Sequence, residues 1–170
     1  MADEPDLDTV RAEMRRHDQA EQSPSSGPSD MAEGVTVVEL TPEGEERFQL
    51  LRRELGVSTF GLNLIRLGPG KRGRIHRHER QEEVYVVLDG ALTLEIEGSE
   101  THEIGTGGVA RVAPALRRQL TNRGASPLAV LAIGGAEPHE GRDGRAFRSW
   151  DDHEGAAPRE IPLPEDVEHA

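Results

Sequence analysis

Between residues 59 and 133 short apolar runs alternate with small or polar punctuation. The runs are 60–67, 83–88, 91–96, 109–112, 119–122 and 128–133. Between them lie Gly68-Pro69-Gly70, Asp89-Gly90, the glycine-rich stretch 105–108 and Asn122-Arg123-Gly124. An Asp-Gly pair between two strands is a tight hairpin signal, because both residues tolerate the backbone angles of a two-residue turn. Many short strands with such turns, and no helical segment among them, predict an all-β sandwich or barrel.

The flanks follow other patterns. Residues 1–33 are polar, acidic and rich in Ser, Pro and Gly, and are expected to be disordered, since they cannot bury enough apolar surface to offset their ordering entropy. Leu7, Val10 and Met14 make at most one weak helical stripe. Met31 opens a more ordinary sequence and is read as a point where translation can begin, leaving 1–30 dispensable. Residues 34–57 read as a strand at 35–38 followed by a helix over 42–55. Thr41 caps it, Pro42 suits its first position, Phe48, Leu51 and Leu55 share one face, and Gly56 stops it. That helix is expected to pack on the barrel as a lid or dimer element. Residues 58–136 hold the barrel. In 137–170 periodicity fades. Phe147 and Trp150 are expected to press a return segment onto the barrel, and 151–170 read as a mobile acidic tail.

Composition narrows the function. Hydrophobic residues are 34% of the 170, below the usual ~45–50%, so the flanks are not core. A net charge of −12 disfavours nucleic acid and anionic membrane surfaces as partners. No cysteine is present, which excludes disulfides, thiolate metal sites and cysteine nucleophiles. The N-terminus, acidic and without an apolar run, is not expected to be a signal peptide, and no run of about 18 apolar residues exists. Cytoplasm is the expected location.

Candidate chemistry concentrates between Gly70 and Gly90. His76 and His78 are two apart, so on extended chain they face one side. Glu83 opens the next strand and the inward set Glu83, Tyr85, Val87. Two imidazoles and a carboxylate form a facial triad suited to a divalent transition metal, Fe, Mn, Ni or Zn.

The spacing Gly70-x5-His76-x-His78-x4-Glu83-x6-Gly90 resembles the first motif of the cupin family at every position. The second motif is matched in part. Gly107 begins it and Asn122-Arg123-Gly124 ends it. Ala113 stands at its proline with Pro114 beside, Ala115 at its glycine, and Arg118 at the histidine that is the family's fourth ligand. The resemblance covers roughly residues 58–136. It implies a double-stranded β-helix, or jelly roll, with the metal inside. Family members include dioxygenases, isomerases, decarboxylases, lyases, epimerases, storage proteins and ligand sensors, so the fold alone assigns no reaction.

Arg118 stays protonated and cannot ligate a metal. Three ligands still suffice for a catalytic site, though they bind less tightly than four. A one-residue register shift would turn Gln119 inward instead. Arg118, Gln119 and Tyr85 are thus the candidate substrate-binding residues, Tyr85 otherwise serving as packing. Lys71, Arg72, Arg74, Arg77, Arg80, Arg117, Arg118 and Arg123 are expected at the barrel mouth, where a basic rim would attract a small anion. His17, His102, His153 and His169 read as surface residues, and His139 as a remote fourth-ligand candidate. Residues 105–108 read as a turn, with no phosphate-loop signature. Two functions follow: a metal-dependent enzyme of oxygenase or isomerase type acting on a small anion, or a non-catalytic ligand-binding or sensing cupin with a degenerate metal site. Pairing through barrel edges makes a homodimer the expected assembly.

Overall fold

The computed structural model describes residues 29–136 and 143–169. The chain divides into two compact units, 1–38 and 39–170. In the first, β1 (Ser29–Ala32) and β2 (Val35–Val37) form an antiparallel hairpin, so the last residues of the expected disordered stretch are strand and turn. The Leu7, Val10 and Met14 stripe, His17 and most of the stretch 1–30, expected to be dispensable, lie outside the described residues.

The second unit is a jelly roll of two five-stranded sheets, antiparallel at every described pairing. Its strands are β3 (Phe48–Gln49), β4 (Gly61–Leu67), β5 (Ile75–His78), β6 (Glu82–Asp89), β7 (Ala91–Ile96), β8 (His102–Gly105), β9 (Val109–Val112), β10 (Arg118–Thr121), β11 (Leu128–Gly135) and β12 (Gly144–Phe147). One sheet has the order β12-β5-β10-β7-β8 and the other β3-β4-β11-β6-β9. From β4 onward the chain changes sheet at each connection except β7 to β8. Period-2 alternation then sends one side of every strand into a common core. That core holds Leu67, Tyr85, Val87, Leu92, Leu94, Val112, Leu120, Leu128, Val130 and Ala132.

Three local expectations are corrected. The Asp89-Gly90 turn exists, with Gly90 at φ 78°, but it joins β6 to β7 in the opposite sheet and makes no hairpin. A turn signal fixes a reversal of the chain; which strand each arm then pairs with is decided by burial elsewhere. Gly90 is required there for a second reason: a Cβ would stand 2.5 Å from the Pro127 carbonyl oxygen. The helix expected over 42–55 shrinks to α1 (Leu51–Glu54). Upstream, Thr41 and Gly44 close a turn, and Phe48 and Gln49 pair with Ile65 and Leu64. The side chain of Arg66 overrides the helical pattern. It takes the carbonyls of Thr41 and Glu46 and the Thr41 hydroxyl, oxygens committed to tertiary bonds. Of the apolar stripe, Leu51 is buried and Phe48 exposed.

The acidic C-terminal stretch is the third. It runs along the barrel as a strap. Ile161 is 4% exposed, after a 3-10 turn at Pro158–Glu160. Arg74 Nε donates to the Ile161 carbonyl, Arg72 Nε to that of Glu165 at 2.7 Å, and Lys71 pairs with Asp166 at 2.6 Å. The Val167 amide bonds to Gly70 O at 2.9 Å, so close that a Cβ on Gly70 would lie 2.6 Å from Val167 O. Composition describes a solvated tail; the anchoring comes from one buried isoleucine and backbone partners that composition does not reveal. Phe147 is buried as well, with the Arg117 guanidinium 4.8 Å over its ring, while Trp150 is partly buried.

Ile161→Ala is expected to cost about 2 kcal/mol in chemical denaturation, the low end for deleting a buried isoleucine side chain. An unchanged midpoint would mean that the strap is not anchored.

Candidate metal centre

His76 and His78 project from β5, with Arg77 between them pointing the other way. Glu83 comes from β6, in the opposite sheet, so the carboxylate meets the imidazoles across the barrel interior. His76 Nε2 lies 3.3 Å from Glu83 Oε2, and His78 Nε2 3.4 Å from Glu83 Oε1. One donor atom from each of the three residues falls within 4.8 Å of the others. The side chains are only 24%, 13% and 13% exposed, shielded yet reachable.

The outer nitrogens are tied down. His76 Nδ1 lies 3.1 Å from Arg74 O, and His78 Nδ1 2.7 Å from Asp143 Oδ1. Acceptors at Nδ1 hold both rings with Nε2 toward Glu83, the arrangement that orients imidazoles for a metal. Asp143 is itself held by the amides of Arg80 and Gln81, at 3.1 and 2.8 Å. It reaches His78 because the next residue, Gly144, is paired with His78 across β12 and β5. Nothing in the sequence pattern singles out Asp143, since it lies 65 residues from His78 in the least periodic part of the chain.

Arg118 stands beside His76 in register and is fully buried. Its NH2 donates to Glu83 Oε2 at 2.7 Å, its Nε to the Tyr85 hydroxyl at 3.3 Å, and its NH1 to the carbonyls of Pro114 and Leu116 at 3.2 and 3.0 Å. Tyr85 donates to Glu83 Oε2 as well. Both residues therefore act on Glu83. Gln119 donates to Gly73 O at 2.8 Å, so the register turns Arg118, and not Gln119, to the carboxylate.

The charges reinforce one another. Burial would push the Glu83 carboxyl up, but hydrogen bonds from His76 and His78 and the Arg118 charge outweigh it and hold Glu83 well below the usual carboxylate range. Burial, followed by the Glu83 charge, drives the Tyr85 phenol well above its ordinary value, so it remains a donor. Burial lowers His78, and its bonds to Glu83 and Asp143 more than restore it, leaving it raised.

In kind, the donor set fits a divalent metal: two inward Nε2 atoms and the Glu83 Oε1 edge, which Arg118 and Tyr85 leave open. His76, His78 and Glu83 could hold such an ion. Arg118 partly neutralises the carboxylate and so weakens the attraction. Two cavities reach His78 and Glu83, one of about 320 Å³ that also touches His76 and Arg74, the other of about 660 Å³ bordered by Arg52, Arg53 and Gln81.

The basic residues expected at the mouth are mostly engaged. Lys71, Arg72 and Arg74 hold the strap, Arg77 pairs with Glu79, Arg117 with Glu97, and Arg123 with Glu95. His139 lies outside the described residues.

A family model described as a cupin domain matches residues 63–134, the span that contains all three candidate ligands. Residues 63–134 thus match a cupin domain, and the chain has the jelly-roll fold that fits it. A solved sugar phosphate isomerase of the cupin superfamily from Silicibacter pomeroyi is similar, at 27% identity and TM-score 0.53, covering 68% of this chain and 78% of that one. A cupin protein from Bacteroides fragilis is similar at 25% identity and TM-score 0.51, covering 61% and 88%. No curated protein matches the chain.

Asp143→Ala is expected to free the His78 ring and weaken Co(II) binding about 10–100-fold in a chelator competition, as loss of a ligand's outer partner does. Equal affinity would show that His78 is oriented without it.

Proposed function

We propose that the chain is a metal-dependent cupin acting on a small anionic substrate, with His76, His78 and Glu83 as the ligands. The observation that carries this reading is the inward convergence of two Nε2 atoms on Glu83, each imidazole fixed from behind by a separate acceptor. A bound divalent ion would supply Lewis acidity, polarising a substrate oxygen. The chain's residues supply the rest. Arg118 and Tyr85 keep Glu83 ionised and aimed, and the barrel walls limit water. The reaction class is isomerase-like or oxygenase. Likeness to the Silicibacter pomeroyi sugar phosphate isomerase supports the former. A cytoplasmic homodimer is part of the proposal. The exposed apolar residues Phe48 and Val109, on edge strands β3 and β9, support pairing.

The Arg118–Glu83 pair favours a second reading, in which the site carries no ion and the pocket binds or senses a ligand without turnover. Arg118 then neutralises the carboxylate permanently. Among the described residues no helix is long and apolar enough to cross a membrane, and both readings treat the ligand as small.

Untagged full-length protein, reconstituted separately with Fe(II), Mn(II), Ni(II) and Zn(II), is expected to retain about one equivalent of at least one metal, and His76→Ala to lose it. Arg118→His removes a cation and restores a fourth donor, so affinity is expected to rise by about tenfold or more. Less than about a tenth of an equivalent of every metal, by elemental analysis, establishes the second reading.

A further inference from the structure

Arg47 and Arg74 both line the smaller cavity, and neither has an ion-pair partner among the described residues. Arg47 precedes β3 and donates from NH2 to the Arg72 carbonyl. Arg74 precedes β5 and donates from Nε to the Ile161 carbonyl. Both contacts are to backbone oxygen, and neither arginine is within ion-pairing distance of a described carboxylate. Asp166, the acidic group whose charge is felt at Arg47, is bound to Lys71 at 2.6 Å. Arg47 Nε is buried with no hydrogen-bond partner among the described residues. Two cations thus stand at one cavity of a chain whose net charge is −12.

The geometry points to Arg47 and Arg74 as an oxyanion subsite: a carboxylate or phosphate group of the substrate binds to the two guanidinium forks while the rest of the molecule extends to His76, His78 and Glu83. This rests on the reading of the site as a substrate pocket. Like charges brought together in a partly desolvated space destabilise each other, and an anion between them removes that cost and gains charge-assisted hydrogen bonds. Burial, then the nearness of Arg74, lowers the Arg47 guanidinium from its ordinary value, against the Asp166 charge, which raises it. The lining also bears on what else the ligand contains. Asn63 offers a neutral polar contact, while Ile65, Leu67, Leu120 and Ala132 offer apolar wall. A volume of about 320 Å³ equals roughly ten waters at ~30 Å³ each, so the ligand is small. Arg118, at the family's fourth-ligand position, spends its donors on Glu83, Tyr85 and two carbonyls and so leaves the anion to this pair.

The test uses the full-length chain, metal-loaded and chelator-treated, titrated calorimetrically at low ionic strength with inorganic phosphate and with malonate as separate probes. Wild type is expected to bind at least one probe at a single site, and the preferred probe identifies the oxyanion. Arg47→Gln and Arg74→Gln should each weaken that binding by about tenfold or more, the loss expected for a hydrogen bond to a charged group. Arg47→Lys keeps the charge without the fork and should lose less. Arg111→Gln, an exposed change on β9 at a residue paired with Glu82, should alter affinity less than twofold, a rough limit for general charge effects. If Arg47→Gln fails to fold because the Arg72 contact is lost, Arg74→Gln and Arg47→Lys carry the test. Absence of binding of both probes by wild type overturns the inference, as do unchanged affinities in the arginine variants or an equal loss in Arg111→Gln. Metal content measured on the same samples separates the two claims. Phosphate or malonate binding that depends on Arg47 and Arg74 in a chain retaining no metal keeps the subsite and sinks the metal reading; stoichiometric metal with anion binding indifferent to both arginines does the reverse.

Discussion

The interior of this barrel is organised around one buried carboxylate. Glu83 crosses from its own sheet to two imidazoles on the other and shares an oxygen with a fully buried guanidinium. A carboxylate cannot remain ionised inside a β-barrel without compensation, and here it comes from three directions. Each compensating group is fixed in turn: His78 by Asp143, His76 by the Arg74 carbonyl, Arg118 by two carbonyls of the β9–β10 connection. The site is therefore a closed electrostatic unit, and strands β5, β6, β10 and β12 are held in relation to one another partly through it.

That unit explains how one chain can retain a cupin's first motif while altering its second. Where relatives of this pattern would place an imidazole, Arg118 supplies a positive charge without a lone pair. It does for Glu83 electrostatically what a cation at the triad would do, although from the other carboxylate oxygen. The two cations can therefore coexist in geometry while competing in charge. This balance makes the metal affinity of the chain the quantity that separates the two proposed readings.

A second electrostatic theme is the use of acidic flanking sequence against basic barrel residues. Lys71, Arg72 and Arg74 follow Gly70, and the strap answers them with the Asp166 carboxylate and the backbone oxygens of Glu165 and Ile161. Gly70 itself is the place where strap and barrel backbones touch, so the first glycine of the motif has a packing role independent of the metal. Three of the rim cations are used in this contact, Lys71 in an ion pair and Arg72 and Arg74 on backbone oxygen.

The all-β class and the facing of each site residue were legible in the sequence because both depend on short-range periodicity, while the convergence of His76, His78 and Glu83 was implied by the resemblance of their spacing to the cupin motif. Alternation at two residues per repeat defines the strand faces, and His76, His78, Glu83 and Tyr85 follow it directly. Elements whose partners are remote were not legible. Thr41 to Leu55 carries every local mark of a helix, yet Arg66 and the edge of β4 claim its backbone. Asp89-Gly90 marks a reversal without revealing that its arms enter different sheets. Asp143 and Ile161 lie in segments without periodicity, and only long-range contacts give them roles. Local pattern determines which way a side chain faces from its own strand; tertiary structure alone decides what stands opposite, because hydrogen-bond partners and charge compensation are supplied by residues tens of positions away.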